Sequence, residues 1–193
     1  QAAAGCEAAR SWVAELPRAV AEAAAAMGDD AGLQELATSV AERAEGLDAL
    51  LQEAHGTLSA NWPADAEGEW RFPRGVVPEE LRTLAGRVAG PARELAARFR
   101  ELGNKAEKAL EDGRSQKDEA QQEALNKALP RLGMAQERCE NLEAAWSGFA
   151  EADPADRPPL ARWVEALPEQ GVDEPQTAGA ARENVVALGD PGD

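Results

Sequence analysis

The chain has 193 residues, and its 44% hydrophobic content is enough to bury a core. Its formal net charge of -16, from 36 acidic and 20 basic residues, argues against a broad phosphate-binding face, so any nucleic-acid contact must be local. With two cysteines and one histidine, the chain cannot build a disulfide scaffold or a histidine-based zinc cluster.

Helix-forming residues dominate the composition, because aromatics make up only 4% and Tyr and Ile are absent. The sequence therefore predicts an all-α fold. Residues 2–27 have a helical pattern that Pro17 kinks or divides, since proline lacks the N–H donor that a helix interior needs. Apolar residues recur at the helical period from Leu33 to Leu58, which predicts a helix over about 31–58.

Residues 61–78 differ from the flanking helices, because Trp, Phe, Pro and Gly crowd this span. We predict turns around a short extended aromatic segment. Pro78 then opens a long helix that ends near Gly113, and a second long helix follows a short polar turn. Two apolar stripes of similar length predict an antiparallel hairpin over about 78–150. Arms of roughly 35 residues would reach about 50 Å, so we expect an elongated bundle.

The C-terminal part of the sequence is less regular. Residues 160–167 alternate loosely enough to form either a strand or a short helix. From Pro168 the composition turns to Pro, Gly, Asp, Glu and Gln, which predicts a mobile acidic tail. The predicted domains are a helical domain over 1–167 and a disordered tail over 168–193. Because the chain begins with Gln1 rather than Met and leads directly into a helical pattern, we also expect it to be part of a larger protein; processing would give the same kind of start.

Common catalytic motifs are absent from the sequence. It has no phosphate-binding loop, dinucleotide fingerprint, His-Glu-x-x-His pair or Cys-x-x-Cys pair, so we expect no catalytic residue, metal or cofactor in this chain. Glu53-Ala54-His55 superficially resembles the acidic box of helicases, but it lies in a helical pattern, and we interpret His55 as a solvated helix residue. No stretch approaches the roughly 18 apolar residues of a membrane span. Because its two cysteines cannot form a disulfide scaffold, we expect a reducing, cytoplasmic setting.

Nucleic-acid contact is the chemistry that the sequence indicates most directly. Aromatic and guanidinium groups together can stack nucleobases and hold phosphates. The candidate contact residues are Trp70, Arg71, Phe72, Arg74, Arg98 and Arg100. The alternative interpretation is that Trp70 and Phe72 plug one end of the hairpin. Both interpretations can hold at once, because Arg71 and Arg74 can still face outward.

Three segments of the sequence, at 69–81, 132–134 and 157–165, together resemble parts of DinG-type DNA helicases, a family related to the XPD group. The run Glu-Trp-Arg-Phe-Pro-Arg-Gly-Val-Val-Pro-Glu-Glu-Leu at 69–81 is similar to an acid-led family segment that introduces a long helix. Downstream, Leu-Gly-Met at 132–134 and the Arg-Trp-containing run at 157–165 are similar to later family segments. The resemblance covers about residues 67–167, and the order and spacing of these segments carry it.

The resemblance implies an accessory role. In that family this stretch corresponds to the arch, a helical insertion in the first motor domain that, with an iron-sulfur domain, borders the path of single-stranded DNA. ATP, Mg²⁺ and an iron-sulfur cluster are implied for the full-length protein, which moves 5′ to 3′, and the motor domains of the same polypeptide are implied partners. This chain lacks their motifs, so it could not hydrolyse ATP alone. The alternative is a stand-alone helical scaffold whose exposed apolar stripes meet partner helices.

Overall fold

Helices make up most of the described chain. The computed structural model describes residues 3–28, 31–63, 69–113, 119–152 and 162–165. Its elements, in chain order, are α1 Ala3–Val13, α2 Leu16–Met27, α3 Ala31–Ala60, β1 Glu69–Arg71, a 3-10 turn Pro73–Gly75, α4 Glu79–Gly113, α5 Glu119–Ala150 and β2 Trp163–Glu165. The predicted all-α class is confirmed. The predicted tail, 168–193, lies outside the described residues.

The first predicted helix is divided near Pro17, as expected. α1 ends at Val13, and Pro17 occupies the first turn of α2, where its missing N–H leaves no helical hydrogen bond unmade. The two-residue break therefore lies just before the proline rather than at it. Gly28 ends α2 with a φ of 111°, a conformation that favours glycine.

The helices are arranged antiparallel, and ion pairs with N–O distances of 2.5–2.9 Å join neighbouring helices. They are Arg10–Asp48 between α1 and α3, Arg43–Glu94 and Arg87–Glu53 between α3 and α4, Arg93–Glu143 and Arg100–Glu140 between α4 and α5, and Arg131–Glu22 between α5 and α2. Residue numbers rise along one helix and fall along its neighbour, so α1 and α2 together form the first arm of an up-down-up-down bundle. The predicted antiparallel hairpin corresponds to α4 and α5.

Two apolar clusters fill the bundle. The larger one, the bundle core, runs between the helices and includes fully buried Leu47, Leu95, Phe99 and Leu125. The smaller one, the aromatic cluster, closes the end where α3 and α5 finish and α4 starts, which we call the base of the bundle. Its buried members are Cys6, Ala54, Leu58, Phe72, Val77, Leu81, Leu84, Ala85 and Phe149. The apolar stripes predicted from helical spacing thus face the interior.

A two-stranded antiparallel ribbon lies at the base. β1 pairs with β2 in a register that sets Glu69 opposite Glu165, Trp70 opposite Val164 and Arg71 opposite Trp163. The ambiguous segment at 160–167 therefore contains a strand rather than a helix over its described residues. None of the described helices combines the length and the apolar character needed to cross a membrane.

The buried Cys139 thiol should make the bundle less stable at alkaline pH. Burial, aided by the neighbouring Glu140 carboxylate, raises the pKa of Cys139 from 9.0 to about 12. Between these values the unfolded chain loses the thiol proton while the folded chain keeps it, so the free energy of unfolding falls as pH rises. We expect a loss of at most about 1.4 kcal/mol per pH unit above pH 9.

Urea unfolding at pH 8 and pH 10 measures this effect when the wild type is compared with Cys139→Ala. The variant lacks the titrating thiol, so its stability deficit relative to wild type should shrink as pH rises. A deficit that stays constant between the two pH values would contradict the expectation.

Candidate nucleic-acid interface

Aromatic rings form a continuous series across the base of the bundle. The ring centroids of Trp62 and Trp70 are 6.2 Å apart, those of Trp70 and Phe72 are 4.8 Å apart, and those of Phe72 and Phe149 are 6.0 Å apart. All three pairs are edge-to-face, the geometry that aromatic quadrupoles favour. Trp146 extends the series through a tilted contact with Phe149 at 6.3 Å. The packing interpretation therefore describes Trp70 and Phe72 correctly.

The ribbon has an inner and an outer face. Trp70 and Val164 pack against the aromatic cluster, so their common face is the inner one. Because successive strand residues point to opposite sides, Arg71 and Trp163 lie on the outer face. The side chain of Arg71 is 79% exposed, in agreement with this assignment. Of the residues predicted to contact DNA, Trp70 thus faces inward while Arg71 faces outward.

Arg162 connects the ribbon to the bundle. It is the buried charged residue of the described chain, with 6% exposure. Its guanidinium donates hydrogen bonds to the carbonyl oxygens of Gly148 at 2.6 Å, Gly75 at 3.2 Å and Glu151 at 3.3 Å. The first and third lie at the C-terminal end of α5, where carbonyls lack helical partners and a cation is favoured. Arg162 therefore fixes β2, the end of α5 and the 3-10 turn against one another.

Arg71 is already engaged by a carboxylate. Its guanidinium donates hydrogen bonds to Glu69 at 2.7 and 3.2 Å, and these bonds raise the pKa of Arg71. The pair is exposed, so it contributes little to stability. Its consequence is chemical: the charge of Arg71 is largely neutralised, and a phosphate would have to compete with Glu69 for the guanidinium.

The structure separates Arg98 and Arg100 from the ribbon. They lie roughly 20 residues into α4, which is about 30 Å along the helix from its start at Glu79. Arg98 pairs with Glu101 at 3.2 Å, and Arg100 pairs with Glu140 at 2.6 Å. The pKa of Glu140 is lowered first by a hydrogen bond from Gln136 and then by Arg100. Arg98 therefore pairs within α4, and Arg100 joins α4 to α5. Neither forms one site with Arg71.

Arg74 is the predicted contact residue with no such partner. It is exposed, and it makes no hydrogen bond or ion pair with any residue that the structure describes. Its φ of 56° lies in the left-handed region, which costs a non-glycine residue about 1 kcal/mol or more. The next residue, Gly75, is held through its carbonyl by Arg162. The turn therefore presents the Arg74 guanidinium to solvent from an anchored backbone.

His55 was predicted to be a solvated helix residue, and this is wrong for one of its nitrogens. The residue lies within α3 as expected, but it is half-buried, and its Nδ1 is enclosed without a hydrogen-bond partner. The helical pattern gives the position of a residue along the helix, but not which atoms its neighbours enclose. No strand precedes His55 in the described chain, so the resemblance to a helicase acidic box has no structural basis here.

Small-molecule and metal chemistry find little support in the described residues. A pocket of about 110 Å³ lies beside Trp70, between the end of α3 and the start of α4. Ligand pockets are typically at least about 300 Å³, so this one is too small for a nucleotide. Among the described residues, no cluster of three or more His, Cys, Asp or Glu could hold a metal ion. Cys6 and Cys139 are buried in different clusters, so the thiolate set of an iron-sulfur site does not fit this chain.

Neither the protein-family models nor the curated protein sequences give this chain a relative. No protein-family model matches the chain, and no curated protein sequence gives a significant match. The resemblance to DinG-type helicases therefore stays a prediction. The geometry that bears on it is at the base of the bundle, where residues 69–71 of one segment pair with residues 163–165 of another in one ribbon.

Arg162 and Trp163 were not predicted as site residues. Both belong to a run that was noted only for its family resemblance, and neither has a local signal of its role. One arginine among many reads as a surface residue until its three carbonyl partners are known. Trp163 acquires its position on the outer face only through pairing with β1, which is more than 90 residues away in the sequence.

Proposed function

We propose that this chain is the arch-like helical domain of a cytoplasmic DinG-type DNA helicase. Its role is to guide single-stranded DNA while motor domains outside this chain hydrolyse ATP. The observation that carries the proposal is the ribbon, because β1 and β2 come from two of the three segments that resemble the family. Two distant segments with a shared resemblance form one structural unit, as parts of one ancestral domain would.

The shape of the bundle suits an arch. α4 and α5 have 35 and 32 residues, so each extends about 50 Å from the base. Cys6 in α1 and Phe72 after β1 share the aromatic cluster, so the start of α1 and the ribbon lie at the same end. A domain whose first helix and last strand meet at one end can project from a larger protein as an insertion.

A limited DNA contact is expected from the charges. Arg71, Arg98 and Arg100 are paired with carboxylates, so Arg74 is the candidate phosphate ligand at the base. A surface that guides DNA has to let the strand move along it. A small number of phosphate contacts allows this movement more easily than a large number would. The proposal therefore includes weak, local binding with a shallow dependence on salt.

The scaffold alternative is less well supported. It requires exposed apolar stripes, but the stripes of the described helices are buried against one another. Val76 and Met134 are the exposed large hydrophobic residues in the described chain; Val76 follows the 3-10 turn, and Met134 lies in α5. Two isolated side chains do not make a surface for partner helices.

Fluorescence anisotropy with a labelled oligothymidine strand tests the proposed function. We expect the chain to bind the single strand more tightly than a duplex of the same length. Arg74→Ala should weaken binding, and it should reduce the slope of log affinity against log salt by roughly 0.7, the value for one phosphate on a single strand. Arg18→Ala, at an 84% exposed arginine on α2, is the matched control and should change neither quantity.

Absence of single-strand binding, or equal affinity for the duplex, would overturn the proposed function. An unchanged salt slope in Arg74→Ala would remove Arg74 as the phosphate ligand.

A further inference from the structure

Trp163 differs from the other tryptophans of the chain. Trp12, Trp62, Trp70 and Trp146 all pack against one of the two apolar clusters. Trp163 belongs to neither cluster, and it makes no ring contact or hydrogen bond within the part of the chain that the structure describes. It is partly exposed on the outer face of the ribbon. A tryptophan that stays outside the core is typical of a binding surface, because a ligand that covers its large apolar ring removes that area from water and so gains binding free energy.

A second planar group lies directly opposite Trp163. Arg71 is its partner in the ladder, and residues opposite each other in an antiparallel pair have Cβ atoms about 4.5–5.5 Å apart. The Arg71 guanidinium donates two hydrogen bonds to Glu69, which favour one orientation of the plane. The outer face thus offers an indole and a guanidinium side by side, and both are groups on which nucleobases stack.

The outer face of the ribbon is anchored to the bundle through β2. Arg162 precedes Trp163, and its hydrogen bonds to the carbonyls of Gly75, Gly148 and Glu151 fix it against α5 and the 3-10 turn. The carbonyl oxygen of Arg162 also accepts the Phe72 N–H at 3.2 Å, which continues the ladder beyond β1. A ligand would therefore meet a surface whose conformational entropy is already reduced.

We propose that Trp163 is a stacking platform for a nucleobase of single-stranded DNA, with Arg71 beside it and Arg74 at a neighbouring phosphate. The inference rests on the proposed function and names where the strand is held. Arg74 is exposed and has no carboxylate partner among the described residues, which suits a polyanion better than a neutral protein surface. Arg71, neutralised by Glu69, contributes its plane rather than its charge.

The test compares the full chain with Trp163→Ala and Trp163→Phe, using labelled oligothymidine and an abasic strand of equal length. On oligothymidine, Trp163→Ala should bind about tenfold more weakly, and Trp163→Phe should stay within about threefold of wild type because it keeps an aromatic face. On the abasic strand all three should bind alike. Oligothymidine should also quench part of the wild-type tryptophan emission. Trp163→Phe should lose this quenching, while the emission of its remaining tryptophans still reports that the protein is folded.

Each other outcome overturns the inference in a distinguishable way. If wild type binds oligothymidine but Trp163→Ala binds it equally well, the platform does not hold a nucleobase, the proposed function stands, and the indole is left for a protein surface. If Trp163→Ala weakens abasic and thymidine strands by the same factor, the loss does not come from stacking. If wild type binds no single strand, the proposed function fails and the platform fails with it.

Discussion

Replacing Arg162 with Ala is expected to lower the free energy of unfolding by about 3 kcal/mol, because one buried and two part-buried hydrogen bonds to backbone carbonyls are lost. The guanidinium satisfies carbonyl oxygens of Gly75, Gly148 and Glu151, which belong to the turn and to the end of α5. An unsatisfied buried acceptor costs about 1–3 kcal/mol, and water entering the truncated site would recover part of the total. Urea unfolding followed by circular dichroism measures the change.

Two variants separate the role of the Arg162 fork from that of its charge. Arg162→Lys keeps a cation but cannot span three carbonyls, so its loss should fall between those of wild type and Arg162→Ala. Arg82→Ala removes an exposed arginine that pairs with Glu79 three residues away on α4, and it should cost less than about 1 kcal/mol. An Arg162→Ala variant as stable as Arg82→Ala would show that the clamp does not hold the base together.

Replacing Phe99 with Ala is expected to destabilise the bundle by about 3–5 kcal/mol, the largest effect we predict for a single residue. The side chain is fully buried in the bundle core, near the middle of α4, where α2, α3 and α5 all contribute apolar residues. Truncation would open a cavity in the core. The surrounding helices are long and joined by ion pairs, so they cannot easily move together to close it. Because domains are stable by only about 5–15 kcal/mol, the melting temperature should fall by roughly 10 °C.

The matched controls for Phe99 lie on the same helix. Phe99→Leu keeps most of the volume and should cost less than about 1.5 kcal/mol. Thr83→Ala changes an exposed residue and should stay within about 0.5 kcal/mol of wild type. A Phe99→Ala variant that melted within a few degrees of wild type would mean that the helices do not pack as described.

The helices of this protein could be predicted because each carries its own apolar stripe. The positions from Leu33 to Leu58 are buried where helical spacing put them, and Pro17 and Pro78 stand close to helix starts. The strand at β2 could not be predicted, because three residues are too few for a period. Its conformation follows from pairing with β1, which is a tertiary contact.

The candidate site was harder to predict than the fold. Arg71 and Arg74 were recognised as outward candidates, but the sequence does not show that one is paired and the other is not. The partner of Arg100 is Glu140, 40 residues away on a neighbouring helix. Such a pair depends on how two helices are aligned along each other, and the pattern of a single sequence does not show this alignment. The same reason hid Arg162, whose partners lie 11 to 87 residues away.

Determining the reading frame on both sides of this segment tests the central claim most directly. If the chain is the arch-like domain of a DinG-type helicase, the same frame should encode an upstream phosphate-binding loop with its lysine, four cysteines for an iron-sulfur cluster and a second motor domain downstream. A start codon and a stop codon that bound these 193 residues alone would contradict that claim and favour a stand-alone helical protein.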